Sequence, residues 1–276
     1  MLTFLIVAQM ALVEPPQSAN ELIMALPQCD GLEGCDATTE LIRRGAAVVP
    51  ELMEALTHEQ ELIRFWALGV LSEIKDARAF EAIVARLEDS EMRVKTAALF
   101  ALGSLGDRRA KSHLLAALAM DDVNLRLAAT LALGKLRDPS TVPALLQAVG
   151  DQDDEVRGFA LLALGDIGDA RAVEPALLRL REDLKPAVRG YACASLGQLR
   201  DHRATAPLVQ AMRTDQSPDT RAECAAALGM LGDPSAMPAL ESVAQAGPEP
   251  VKSAARWALR QLSAPPNRDA TPEATP

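Results

Sequence analysis

Aromatic residues are scarce in this chain: five Phe, two Trp and one Tyr make up 3% of 276 residues. A protein that tracks a nucleic-acid strand needs stacking rings and a strong basic stripe. Here the formal net charge is -10, which argues against nucleic acid as a partner. Histidine is rarer still. His58, His113 and His202 are the full set, and none sits at the helical spacing that lets two imidazoles reach one metal. No glycine-rich phosphate loop is present. Ser72, Ser104 and Ser195 fall on predicted helices with no nearby His to activate them. No catalytic, cofactor-binding or metal-binding residue is therefore assigned, and no cofactor is expected. No apolar run reaches the roughly 20 residues of a membrane-spanning helix.

What the chain does have is a period. A basic residue recurs at Arg64, Lys95, Arg126, Arg157, Arg189, Arg221 and Lys252, with gaps of 31, 31, 31, 32, 32 and 31 residues. Twelve residues after each of the first six stands an acid: Asp76, Asp107, Asp138, Asp169, Asp201 and Asp233. Self-similarity at this period marks stacked helical units. Seven residues after the basic position comes Leu in every unit, from Leu71 to Leu259, and three after it comes Ala, with Cys224 in the same place once. These positions share one face of an amphipathic helix, helix A. A Gly column at Gly103, Gly134, Gly165, Gly197 and Gly229 leaves little side chain between neighbouring helices. Gly106, Gly168 and Gly232 stand where a left-handed residue ends helix A, and Lys75, Arg137 and Arg200 hold that place elsewhere. After the Asp comes a turn and a second apolar run, helix B, near whose start fall Pro50, Pro143, Pro175, Pro207 and Pro238. A single hairpin of this length cannot bury its apolar face, so stability comes from stacking on neighbours. The fold class expected is all-α, a right-handed α-α superhelix of about seven helical hairpins.

The stretch Val156-Arg157-Gly158-Phe159-Ala160-Leu161-Leu162-Ala163-Leu164-Gly165-Asp166-Ile167-Gly168-Asp169 resembles the short HEAT-like repeat of the phycobilin lyase group and of many bacterial HEAT proteins. The likeness covers residues 37 to 262. It implies a solenoid, and it implies a ladder in which the repeat Asp pairs with the basic residue of the next helix A, as Asp107 with Arg126. It is silent on activity, since these are packing positions. Deoxyhypusine hydroxylases, which also carry HEAT-like repeats, have several His-Glu pairs on their helices; this chain has His58-Glu59 alone.

The ends read differently. Residues 1 to 13 are almost wholly apolar and resemble the core of a secretory signal, with Ala11 or Ala19 as cleavage points, although no Lys or Arg precedes them. The expected organisation is a leader over 1–19, a cap segment over 20–36, the repeats over 37–262 and a disordered Pro-rich tail over 263–276. The protein is expected to be exported to the periplasm or outside the cell, with the cytoplasm as the alternative, and to meet a membrane only through an uncleaved leader. In an exported chain Cys29 and Cys35 are disulfide candidates, whereas Cys193 and Cys224 read as buried substitutes for Ala. In the last unit Lys252, Arg256 and Arg260 form a charged stripe, as a terminal cap requires.

Two functional classes remain. The first is a monomeric, non-catalytic scaffold holding a partner protein, either on a concave face lined by helix B, through Glu54, Arg86, Gln147, Arg179 and Gln210, or on the acidic loops that enter helix A, through Asp121, Asp122, Asp153 and Asp154. Acids there also cap helix N-termini. The second, implied by the resemblance, is a phycobilin lyase-like enzyme or chaperone subunit.

Overall fold

Helix α1 (Ala19–Ala25) is the first described element. Ser18 accepts the Glu21 N–H and its own N–H donates to the Glu21 carboxylate, a reciprocal cap that satisfies two otherwise orphaned donors. The computed structural model describes residues 17–29 and 35–263. The expected leader core over 1–13, the segment between the first two cysteines and the tail from 264 onward lie outside these residues. Ser263 itself ends the last helix rather than beginning a tail.

Seven hairpins follow: α2 (Asp36–Arg44) with α3 (Val49–Ala55), α4 (Glu61–Ile74) with α5 (Phe80–Val84), α6 (Met92–Leu105) with α7 (Lys111–Leu118), α8 (Val123–Leu136) with α9 (Val142–Ala148), α10 (Asp154–Ile167) with α11 (Val173–Glu182), α12 (Pro186–Leu199) with α13 (Thr205–Thr214), and α14 (Pro218–Leu231) with α15 (Met237–Ala246). Helix α16 (Glu249–Ser263) closes the stack. No strand occurs among the described residues. The protein is an α solenoid. Helix A of the periodic units is α4, α6, α8, α10, α12, α14 and α16; helix B is the even layer's partner, α5 through α15.

From α4 to α14 every helix A is 14 residues long and ends on a residue in the left-handed region. Gly106, Gly168 and Gly232 do this without steric cost, while Lys75, Arg137 and Arg200 hold φ of 57°, 49° and 51°. The repeated geometry overrides residue preference, and the basic side chains at the helix C-terminus offset part of the strain through the macrodipole. The Asp after this residue caps the next turn: Asp76, Asp107, Asp138, Asp169, Asp201 and Asp233 each accept the backbone N–H two residues on.

The helix A layer is the tighter one. A Cβ on Gly103 would stand 2.5 Å from the Cα of Ala132, so α6 and α8 touch backbone to backbone. Added Cβ atoms on Gly197 and Gly229 would likewise meet the Cα atoms of Ala227 and Ala258 at 2.9 and 2.7 Å, whereas the B helices hold no glycine and leave grooves of about 500 Å³ between α9 and α11 and about 670 Å³ between α11 and α13. In a curved two-layer stack the closer-spaced layer lies inside. Helix A therefore lines the inner face, which corrects the expectation that helix B does. Small residues, by letting A helices approach, decide the direction of curvature.

Leu164 is fully buried at the centre of this stack, and Leu259 in the terminal helix is half-buried. Leu164→Ala should cost about 2 to 5 kcal/mol and Leu259→Ala clearly less, measured by denaturant unfolding; equal losses would contradict a neighbour-dependent array. At the helix ends, Arg137→Gly should stabilise by about 0.5 to 1 kcal/mol through relief of left-handed strain, while Gly168→Ala should destabilise by about 1 kcal/mol.

Candidate functional site

The loops joining helix B to the next helix A carry a ladder of ion pairs, buried at Asp89 and Asp183 and partly buried at Asp151 and Asp215. Arg64 forks onto Asp89 at 2.9 and 2.7 Å, and its remaining nitrogen donates to the His58 and Glu59 carbonyls. Arg126 does the same with Asp151, Arg157 with Asp183 and Arg189 with Asp215, each also donating to two carbonyls of the preceding loop. Each guanidinium thus ties one inter-repeat loop to the next. Each Asp in addition accepts the N–H of the residue two further on, at Glu91, Asp153, Lys185 and Ser217. Burial pushes these four carboxyls up, but the Arg forks and backbone N–H groups outweigh it and hold all four below the ordinary Asp range.

This geometry corrects the expected pairing of Asp107 with Arg126. Asp107 instead pairs with Arg109 of its own turn at 2.7 Å, and Arg126 pairs with Asp151. The ladder acid comes 25 or 26 residues after its Arg, from the other end of helix B. Two units lack it. Lys95 has Met120 at that place, and Arg221 donates instead to the Met212 carbonyl.

On the opposite edge Arg78, Arg109, Arg171 and Arg203 fold back onto Asp76, Asp107, Asp169 and Asp201. Hydrogen bonds from Arg78 and Arg171 hold Asp76 and Asp169 down at about 2. Three of these guanidinium groups also reach the preceding unit, Arg78 donating to the Ala46 carbonyl, Arg109 to Glu81 and Arg203 to Glu174.

Most of the acidic-edge candidates have structural work. Asp122 caps α8 and Asp153 caps α10, each accepting two backbone N–H groups. Asp154 lies 3.6 Å from Lys185 of the next unit, and Asp121 is exposed with its carbonyl taken by Arg126. On helix B, Glu54, Gln147 and Gln210 are exposed. Arg86 and Arg179 are half-buried second cations beside the ladder acids Asp89 and Asp183, at 3.5 and 3.6 Å. All five sit on the outer layer, so these nine residues do not converge on one site.

The inner face shows what sequence reading missed. Of the seven aromatic residues described, Phe65, Trp66, Phe100, Phe159, Tyr191 and Trp257 all lie on helix A, half-buried or exposed, and Phe80 alone is in the core of helix B. Phe65 meets Trp66 edge-on with ring centroids 5.1 Å apart, and Phe159 lies 5.4 Å from Tyr191. Across α4, α6 and α8, Phe65, Trp66 and Phe100 wall an apolar groove of about 460 Å³. The signal was available: they occupy the positions one, two and five after the repeat's basic residue, off the Leu and Ala columns.

The cysteines are paired. Cys29 and Cys35 are joined across a Cα separation of 5.5 Å. Cys193 and Cys224 are also joined, at a Cα separation of 4.9 Å, between α12 and α14, which corrects their reading as Ala substitutes. Stacking one repeat on the next brings residues 31 apart face to face. No cluster of metal-binding side chains, and no helix long and apolar enough to cross a membrane, occurs among the described residues.

The HEAT repeats family matches residues 49–126, 112–183 and 173–260. Among solved structures, the complex of CpcE and CpcF of phycocyanin lyase from Nostoc sp. PCC7120 contains a chain 25% identical, with a TM-score of 0.55 over 78% of this chain and 86% of that one. The YIBA protein of Escherichia coli shares the fold at 18% identity, with a TM-score of 0.61 over 89% of this chain and 92% of that one. Human deoxyhypusine hydroxylase superposes more loosely, at 22% identity and a TM-score of 0.40 over 88% and 95%. No curated protein matches the chain in sequence.

The ladder sets a pH dependence. A carboxyl whose folded pKa lies below its unfolded value of about 3.9 adds stability above that value and loses it as pH falls through the lowered one. Asp183→Asn should therefore cost about 3 kcal/mol at pH 7, and the gap to the parent protein should narrow as pH falls below the ordinary Asp value of about 3.9 and through the lowered one. A gap independent of pH in chemical unfolding would remove the ion pair as its cause.

Proposed function

We propose that this chain, which belongs to the HEAT repeat family, is an exported scaffold that holds a partner protein against its inner, helix A face. One observation carries the reading: six aromatic side chains stand on that face half-buried or exposed, and while Phe65, Trp66 and Tyr191 pack partly against the core, Phe100, Phe159 and Trp257 do not. A contiguous apolar surface on a folded protein costs solubility unless something covers it, and aromatic side chains dominate the energetics of protein interfaces. The neighbouring phycocyanin lyase structure is itself a complex of two proteins, in keeping with a repeat surface used for association.

Export is supported by the two disulfides, since paired thiols persist in oxidising compartments. The apolar run over 1–13 agrees with it. Cleavage after Ala11 keeps the Ser18 cap of α1, whereas cleavage after Ala19 removes it. The reading is of a binding protein that carries no chemistry of its own. A competing reading, a lyase-like activity on a bilin, draws on the 25% identity to the phycocyanin lyase chain.

Intact mass of protein purified from its native host should show loss of the leader and a deficit of four hydrogens from two disulfides. In cross-linking capture from the same host, Phe159→Asp on the inner face should deplete the captured partner, while Gln147→Asp on the outer layer should not. Turnover of a bilin by the purified protein would replace the scaffold reading with the enzymatic one.

A further inference from the structure

The aromatic groove across α4, α6 and α8 has a specific shape and charge. Gly69, Ala97 and Ala128 form a floor of small side chains, and Phe65, Phe100 and Leu131 stand among its walls. Its polar lining is thin. The Ser72 hydroxyl already donates to the Gly69 carbonyl, and the other polar side chains there are Thr96 and Asn124. A backbone laid in such a groove finds almost no partner for its N–H and C=O groups, so it must satisfy them internally, and that requires a helix. Three helices packed about 10 Å apart present some 20 to 30 Å, the length of a helix of about 14 to 20 residues.

The rim supplies the sign of charge. The Lys135 ammonium lies 4.3 Å from the centre of the Phe100 ring and has no carboxylate within ion-pair distance among the described residues. The Arg93 guanidinium lies 5.5 Å from the centre of the Phe65 ring, with Glu61 at 3.6 Å in an exposed pair. Lys135 itself lines the neighbouring groove between α8 and α10, and in a chain of net charge -10 the two cations place positive charge on rings that wall this one. Glu73 is exposed further along α4, so the positive edge lies toward α8. Resting on the scaffold reading above, we propose that the groove receives an amphipathic helix of the partner protein, with large aliphatic side chains against the rings and carboxylates along the flank that meets Lys135 and Arg93.

Trp66 lines the groove and Trp257 is the second of two tryptophans, so Trp257→Phe in the full chain leaves Trp66 as the fluorescent reporter. Two designed helices should be titrated, each with a leucine face, one flanked by Glu and one by Lys. The Glu-flanked helix should shift Trp66 emission to the blue, saturably, and bind at least about tenfold tighter than its Lys counterpart. Lys135→Glu should reverse that preference, and Leu131→Glu should abolish the shift with helical circular dichroism unchanged. No shift, or equal affinities, overturns the proposal. Tighter saturation by a synthetic peptide of residues 1–13 assigns the groove to this chain's own leader, and a shift that grows with protein concentration alone assigns it to a second copy; both also overturn it. If native partner capture survives Leu131→Glu yet fails with Phe159→Asp, the scaffold reading stands and this groove is not its site.

Discussion

Backbone contact between successive A helices is the constraint on which the rest of this molecule depends. At Gly103 a single added carbon would collide with the Ala132 backbone, and the spacing between units is set there rather than by large interlocking side chains. Overpacking such a contact forces backbone shifts, because dense interiors do not deform smoothly. Since the B helices carry no equivalent small column, they diverge, and the stack curves toward the A layer. The inner face, the loops that reach from unit to unit and the meeting of Cys193 with Cys224 all follow from that spacing.

Two families of aspartate stabilise the array in different ways. Those following helix A cap the next turn and take up the neighbouring Arg, which makes that edge electrically quiet. Those following helix B are buried or partly buried and hold an Arg that also binds the preceding loop. Both kinds link repeats, the first through Thr205 to Asp233 at 2.6 Å and Lys111 to Asp138 at 3.7 Å, and the second through a forked Arg. A buried pair of this sort adds modest net stability compared with apolar packing, but its half-removal leaves a desolvated charge. Its directional forks and paired carbonyls define the register of one unit on the next.

Against this background the aromatic side chains are the exception. They stand outside the packing columns, on the face that curvature turns inward, and two of them carry cations rather than being covered by aliphatic side chains. A repeat protein can vary such positions without loss of fold, since stacking depends on the Leu, Ala and Gly columns. The exposed apolar residues elsewhere are single, as with Leu184 at 92% exposure, and isolated exposed apolar residues are ordinary on protein surfaces.

The hairpins, their period and the glycines that end helix A were legible in the sequence, because helical periodicity and a left-handed residue after helix A are local consequences of backbone geometry, whereas the capping role of the following Asp was not read from it. Seven recurrences of one pattern left no other architecture open. The pairing of Arg126 with Asp151, the bond between Cys193 and Cys224 and the identity of the inner layer were decided only by tertiary structure. Each depends on the spacing and angle between units, and those are set by backbone contacts that a one-dimensional pattern of small residues implies without orienting. A column of glycines tells that two helices touch; which of two layers is thereby drawn to the inside requires the distance between the other two.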